Sequence, residues 1–335
     1  MTPRLLFIHG IGGPRDRILE REIWAHALAD GMREAGHFST GDRLQSSKAC
    51  DVDFAYYGDL FSPRQAQGVA GAEELDERAA VLLAAMMYDI VEEKWAETEA
   101  ADPNAETQGR LLAYAREQAR PTGQAQGVMD LVRRSLNVAT TLLELGPLRR
   151  AGQWTAPKLL VRDLAQVARY LARSEPDAEG RTLDRRIRDR ILSHLEGNDD
   201  DRPTVIVAHS LGTVVALETL HEHSVSVPLL VTLGSPLSMR TVVWPNLRPR
   251  PPRTPASVSA WLNFWDRDDV IAVRPELESD ILPNAASVQP RSRRIDSDGL
   301  WVHTATKYLR QPAVAGPVAA ALAGVSDFPG NQAAG

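Results

Sequence analysis

Pro203-Thr204-Val205-Ile206-Val207-Ala208-His209-Ser210-Leu211-Gly212 is the stretch on which the fold turns. Thr204 to Ala208 is a short, nearly continuous apolar run rich in β-branched residues. A strand buried on both faces of a parallel sheet has this composition, because helices cover both faces and no polar alternation is needed. Ala208-His209-Ser210-Leu211-Gly212 follows, and Thr213 to Glu222 reads as a helix. A serine on so sharp a strand-to-helix turn needs small residues two positions before and after it, since the backbone is strained and crowded. Ala208 and Gly212 meet that need. An inert serine in an ordinary doubly wound sheet is the bland alternative, so partners elsewhere in the chain must decide.

Working outward, Arg4 to Ile8 reads as the first strand, closed by His9-Gly10-Ile11-Gly12-Gly13 and followed by a helix over Arg17 to Ala35. Two roles compete for the glycine turn, a plain tight turn and a phosphate-cradling nest. The G-x-G-G spacing is not the G-x-G-x-x-G of dinucleotide sites, and no acidic residue stands at a second strand end to hold a ribose. Val52 to Leu60 is the next expected strand. Beyond Ser210, Leu229 to Leu233 reads as a buried strand ending in Gly234-Ser235-Pro236-Leu237. Val258 to Trp265 is a further strand, followed by Asp266-Arg267-Asp268-Asp269. Ser287 to Ile295 is the last, leading through Asp298-Gly299-Leu300-Trp301-Val302-His303 into a helix. Three clustered carboxylates could suggest a divalent-cation loop, but the alternating ligands and the glycine of a calcium loop are missing.

Between Leu60 and Pro203 the strand signal almost vanishes. Glu73 to Thr98, Glu106 to Ala119, Gly127 to Leu145, Lys158 to Arg173 and Thr182 to Leu195 carry helical periodicity, punctuated by Pro103, Pro121, Pro147, Pro157 and Pro176. A structureless loop of that length is implausible in a folded domain. A helical insertion with its own packing, set as a cap over the carboxyl edge of the sheet, is expected. Lys158 to Arg173 is amphipathic and basic on its polar side. A cap helix is the favoured reading, and peripheral membrane contact stays open. Arg181 to Arg190 is expected to form a solvated charged face.

The A-H-S-L-G and H-G-I-G-G runs, each at a strand end, resemble those of the α/β-hydrolase superfamily. H-G-I-G-G with Y-Y-G-D-L resembles bacterial serine hydrolases, and A-H-S-L-G, T-L-G-S-P-L and W-L-N-F followed by the aspartates look most like lipases and carboxylesterases. The resemblance covers roughly residues 1–60 and 202–311; the helical insertion matches nothing in it. It implies an α/β fold with a mostly parallel sheet of about six strands. The core would span residues 1–61 and 202–325, the cap 62–201 and a flexible tail 326–335. Ser210, Asp269 and His303 stand in the chain order nucleophile, acid, base that such hydrolases use. Asp266 and Asp268 are the fallback acids. Backbone N–H groups of Ile11 and Leu211 would form the oxyanion hole, with Gly12 a neighbouring candidate. Gly10, Gly12, His209, Ser235 and Pro236 would line the substrate pocket. The implied reaction is hydrolysis of carboxylic esters of an apolar acyl group, without cofactor or metal. Peptidase, amidase or thioesterase chemistry, or an idle fold binding partners through its cap, are the alternatives.

The bulk composition agrees with a globular chain of this class. There are 38 basic and 44 acidic residues, a net charge of −6, which disfavours nucleic acid and leaves a small ester or lipid-like molecule as the expected partner. Cys50 is the lone cysteine, and the start Met1-Thr2-Pro3-Arg4 leaves no room for a signal peptide, so a cytoplasmic location is expected. Ala313 to Val325 is too short to span a bilayer.

Overall fold

In the computed structural model, which describes residues 3–12, 15–46, 51–61, 75–101, 106–120, 127–144, 156–196, 202–297 and 302–324, six parallel strands form one sheet. Gly13, Cys50, residues 298–301 and the tail 326–335 lie outside the described residues. The strands are β1 (Arg4–Ile8), β2 (Val52–Ala55), β3 (Thr204–His209), β4 (Leu230–Leu233), β5 (Trp261–Asp266) and β6 (Pro290–Ile295), in the spatial order β2-β1-β3-β4-β5-β6. β1, β3 and β4 are buried along their whole length, as their unbroken apolar runs require.

Pleating sorts each strand onto two faces. Leu5, Phe7, Val205, Val207, Leu233 and Phe264 pack against α1 (Arg17–Glu34) and two C-terminal helices. Leu6, Ile8, Ile206, Ala208 and Leu230 face the other way, into a single cluster that includes most of the apolar side chains of the insertion. The insertion helices are α3 (Glu77–Ala101), α4 (Glu106–Ala119), α5 (Val128–Glu144), α6 (Pro157–Ala172) and α7 (Leu183–Glu196), α2 being Phe38–Gln45. α8 (Leu211–Glu222) follows β3, and α9 (Ala305–Leu309) and α10 (Pro312–Leu322) close the described chain.

The placement of the insertion follows from crossover handedness. The step from β1 to β2 runs one way across the sheet, while β2 to β3 and β3 to β4 run the other. Crossovers of one hand that run in opposite directions must lie on opposite faces. α1 therefore covers one face, and the insertion joins α8 on the other. The insertion packs in a core continuous with the sheet, not in a core of its own. α3 also reaches the carboxyl end: Asp89 Oδ2 accepts from Thr241 N at 3.1 Å, and Lys94 Nζ donates to Arg267 O at 3.3 Å.

Two helices differ from their expected character. Twelve residues of α6 are buried, including Arg169, whose guanidinium donates to Glu175 and to the Phe61 carbonyl. Arg169 and Arg173 are thus spent inside the protein, whereas Lys158 is exposed and Arg162 partly so. Arg181 to Arg190 is not a solvated face throughout. Asp184 and Arg188 are buried: Arg173 and Arg188 each pair with both Asp184 and Glu218 of α8, and Arg173 Nη2 lies 2.6 Å from Glu218 Oε1. A buried carboxylate demands compensating donors, and Tyr170 and Arg248 N supply two more. β2 also ends at Ala55, earlier than expected, because Gly58–Phe61 coils into a 3₁₀ turn. Among the described residues no helix is long and apolar enough to cross a membrane.

Candidate active site

The chain leaves β1 for β2 on one side and returns to place β3 on the other. In an open parallel sheet, that reversal leaves a crevice at the carboxyl ends of the two central strands. His9 to Gly12 and His209 to Leu211 meet there. Two glycines permit the approach. A Cβ on Gly10 would lie 2.5 Å from Ser210 Cβ, and one on Gly212 would lie 2.5 Å from the His9 carbonyl oxygen. Ser210 sits at φ 54°, ψ −129°, a conformation that costs a non-glycine residue about 1–3 kcal/mol and persists only when its surroundings enforce it. Ser210 N donates to Leu233 O, and Thr213 N donates to Ser210 O, both at 3.0 Å.

Ser210 Oγ lies 3.0 Å from His303 Nε2, and His303 Nδ1 lies 2.8 Å from Asp269 Oδ2. All three residues are buried. Asp269 Oδ2 also accepts from the Tyr308 hydroxyl at 2.7 Å, and its Oδ1 accepts from Ile271 N at 3.0 Å. The fallback acids go elsewhere. Asp266 Oδ2 accepts from Ser297 N and Oγ, each at 2.6 Å, and its Oδ1 accepts from Asp268 N. Asp268 keeps nearly half of its side-chain surface exposed. With its carboxylates turned to separate partners the cluster is no cation loop, and no metal-binding group of side chains occurs among the described residues.

Gly234 gives this chain room. It sits at φ +52°, and a Cβ there would meet Asp269 Oδ2 at 2.6 Å and His303 Nδ1 at 3.2 Å. Burial works to raise the Asp269 pKa, but the neighbouring His303 and the hydrogen bonds from His303, Tyr308 and Ile271 hold it below its usual value. Burial, then the adjacent Asp269 charge, push the Tyr308 phenol well above 10, so it remains a donor. Two further histidines stay neutral. Burial and then Arg15 bring His9 down to about 3, and burial followed by His303 brings His209 well below its usual value. The His209 ring lies 4.7 Å from that of His303. Neither ring nitrogen of His9, nor Nε2 of His209, has a hydrogen-bond partner among the described residues.

The His9–Gly12 turn is anchored at both ends. The Tyr57 hydroxyl donates to His9 O at 2.6 Å. Gly12 N donates to Gln166 Oε1 at 3.1 Å, and Gln166 Nε2 donates back to Gly12 O at 3.0 Å. Gly12 N–H is therefore engaged, whereas the N–H groups of Ile11 and Leu211 make no hydrogen bond among the described residues. A pocket of about 280 Å³ opens beside the turn, bordered by His9, Gly10, Ile11, His209 and His303, with Arg15, Glu20, Ile23, Trp24 and residues 304–306 completing it. Ser210 has no exposed surface and does not itself border the pocket; its Oγ lies 3.0 Å from Nε2 of His303, which does. Gly12, Ser235 and Pro236 do not border this pocket. The Ser235 hydroxyl instead pairs with Thr213 Oγ1 at 2.8 Å, inside the sheet–helix packing.

A hydroxyl, an imidazole and a carboxylate within hydrogen-bond reach are the groups from which an activated nucleophile can be built. The chain matches no protein-family model, no curated protein and no solved structure with which it was compared. Sequence reasoning passed over Tyr308, Gln166 and the demand on Gly234. The T-L-G-S run carried a signal only for Gly234.

Proposed function

We propose that this protein is a serine hydrolase of the α/β-hydrolase type that cleaves carboxylic esters of small apolar acyl groups through an acyl-enzyme on Ser210. The observation that carries this is the buried chain from Ser210 through His303 to Asp269 at the sheet's switch point. Ser210 Oγ attacks the ester carbonyl carbon while His303 Nε2 takes its proton. The C–O bond to the alcohol then breaks, and the same proton passes to the leaving oxygen. Water repeats the sequence on the acyl-enzyme and frees Ser210. Asp269, kept ionised, fixes the imidazole tautomer and stabilises its cation. Neutral His9 and His209 add no positive charge against that imidazolium. The free N–H groups of Ile11 and Leu211 are the oxyanion donors. A phosphate nest at the same turn is disfavoured, since the Gly12 N–H that it would use is bound to Gln166.

The pocket sets the substrate size. At about 280 Å³ it falls at the small end of ligand sites, with Ile11, Ile23, Trp24 and Ala305 as its apolar wall and Arg15 paired to Glu20 beside them. A short acyl group fits and a long lipid chain does not. α3, which reaches the carboxyl end, is the part of the insertion placed to serve as a cap. A p-nitrophenyl ester series tests this: acetate and butyrate are expected to turn over at least about tenfold faster than decanoate in kcat/KM, a difference of about 1.4 kcal/mol. Ser210→Ala is expected to abolish turnover; retained hydrolysis in that variant would refute the assignment. The full burial of Ser210 favours a second reading, a non-catalytic fold that binds partners through its insertion, for which no ester would be cleaved.

A further inference from the structure

We infer that Gln166, on the inserted helix α6, is a positioning residue that sets the oxyanion turn for catalysis. The inference rests on the serine-hydrolase reading of Ser210. The Gln166 side-chain amide and the Gly12 backbone form a reciprocal pair, with Gly12 N to Oε1 at 3.1 Å and Nε2 to Gly12 O at 3.0 Å. Both bonds are buried and join residues 154 positions apart. Nothing else among the described residues hydrogen-bonds the Gly12 backbone, which sits at φ +141°, where glycine has wide freedom. The Gly12 N–H belongs to the Ile11–Gly12 peptide, so Gln166 fixes the plane of the peptide next to the Ile11 N–H. Tyr57 fixes the His9–Gly10 peptide, on the other side of that N–H, through the His9 carbonyl. Between the two anchors, the Ile11 N–H has one orientation and no competing acceptor.

This assigns the insertion a part in the chemistry itself. A donor that has to reorient during the reaction gives up much of its value, because oxyanion stabilisation depends on dipoles already aimed at the developing charge. Gln166 contacts no reacting atom; it acts through the turn. Its neighbours on α6 are committed to other partners: Arg162 pairs with Asp163, and Arg169 with Glu175. The Arg15 guanidinium lies over Gly12 from the turn side.

Two variants test the role. Gln166→Met keeps the length and loses both bonds. Gln166→Glu keeps the shape but, when ionised, sets a carboxylate against the Gly12 carbonyl; protonated, it can donate again. Removing one oxyanion donor outright costs about 10²–10³ in kcat, so loss of its positioning is expected to lower kcat about 10- to 100-fold in Gln166→Met. KM for the best p-nitrophenyl ester should stay within about twofold, and affinity for a boronic acid transition-state analogue should fall by the same factor as kcat. The kcat of Gln166→Glu relative to the parent protein should recover as pH is lowered, while that of Gln166→Met stays flat; Arg15 favours the ionised glutamate and moves the recovery toward lower pH. A kcat within about twofold of the parent in both variants would overturn the inference. Parallel losses of kcat, boronate affinity and melting temperature without the pH recovery would mark Gln166 as merely structural and also overturn it. If the parent protein neither cleaves esters nor reacts with a fluorophosphonate at Ser210, the hydrolase reading fails first and Gln166 has no oxyanion to serve.

Discussion

Gly234→Ala adds one carbon where the structure has room for none. An ideal Cβ at Gly234 stands 2.6 Å from Asp269 Oδ2 and 3.2 Å from His303 Nδ1, and the residue sits at φ +52°. Left-handed backbone costs an alanine about 1–2 kcal/mol relative to glycine. The collision adds a second and more specific effect. Asp269 is held on three sides by His303, Tyr308 and Ile271, so the carboxylate cannot retreat without loosening its bond to the imidazole. Loss of the acid's orienting role costs about 10⁴ in kcat where such triads have been dissected. A partial displacement is expected to lower kcat by about 10² to 10⁴. Gly36→Ala supplies the control, since Gly36 also has positive φ, +86°, but nothing within 4 Å of its Cβ position. Gly36→Ala should lose only the backbone cost, about 1.5–3 °C in Tm; Gly234→Ala should lose at least that much, and only Gly234→Ala should lose turnover. The assay is steady-state ester hydrolysis beside thermal melting. If Gly234→Ala keeps kcat within twofold of Gly36→Ala, Asp269 does not orient His303 and the reasoning fails.

Two further perturbations follow from the same contacts. Asp269→Asn should lower kcat by about 10⁴, whereas Asp268→Asn should change it little. Asp266→Asn should mainly cost stability, about 1–3 kcal/mol by denaturant melts, through its bonds from Ser297; equal kinetic losses from all three would point to a shared carboxylate role. His9 carries a stability signature in pH. Its folded pKa is lowered from an ordinary 6.5 to about 3, so below pH 6.5 the unfolded chain takes up a proton that the folded protein refuses. The stability due to neutral His9 is complete above pH 6.5 and is lost as pH falls toward 3, at no more than about 1.4 kcal/mol per pH unit. His9→Phe, whose ring suits the aromatic surroundings of Phe54, Tyr56 and Tyr57, should flatten that slope by His9's share in denaturant melts from pH 7 to 4. An unchanged slope would show that burial does not hold His9 neutral.

The parallel sheet was legible because a strand covered on both faces writes an unbroken apolar run, and Arg4–Ile8 and Thr204–His209 are such runs. Ser210, Asp269 and His303 could be singled out because each follows a strand end, and the structure brings them within hydrogen-bond distance. The rest depends on relations that no local pattern encodes. Phe38–Gln45 has too few apolar positions to announce a helix, and Phe38 itself is exposed. The face taken by the insertion follows from strand order, which periodicity does not reveal. Gln166 and Tyr308 act through partners far away in the chain, and in sequence each looks like an ordinary helical residue. Arg188 looks solvated until Glu218 is seen to need it, and Asp184 until it is seen to pair with Arg173 and Arg188. Ser235 stands in a motif run suited to a pocket, yet its hydroxyl is drawn inward by Thr213.

The central claim is that Ser210 is a nucleophile activated by His303. Reaction of the folded protein with a fluorophosphonate probe, followed by peptide mapping, tests it most directly. A single adduct on Ser210 is expected, lost in Ser210→Ala and slowed at least about 100-fold in His303→Ala. A folded protein that takes up no label, or one whose label sits elsewhere and survives Ser210→Ala, would contradict it.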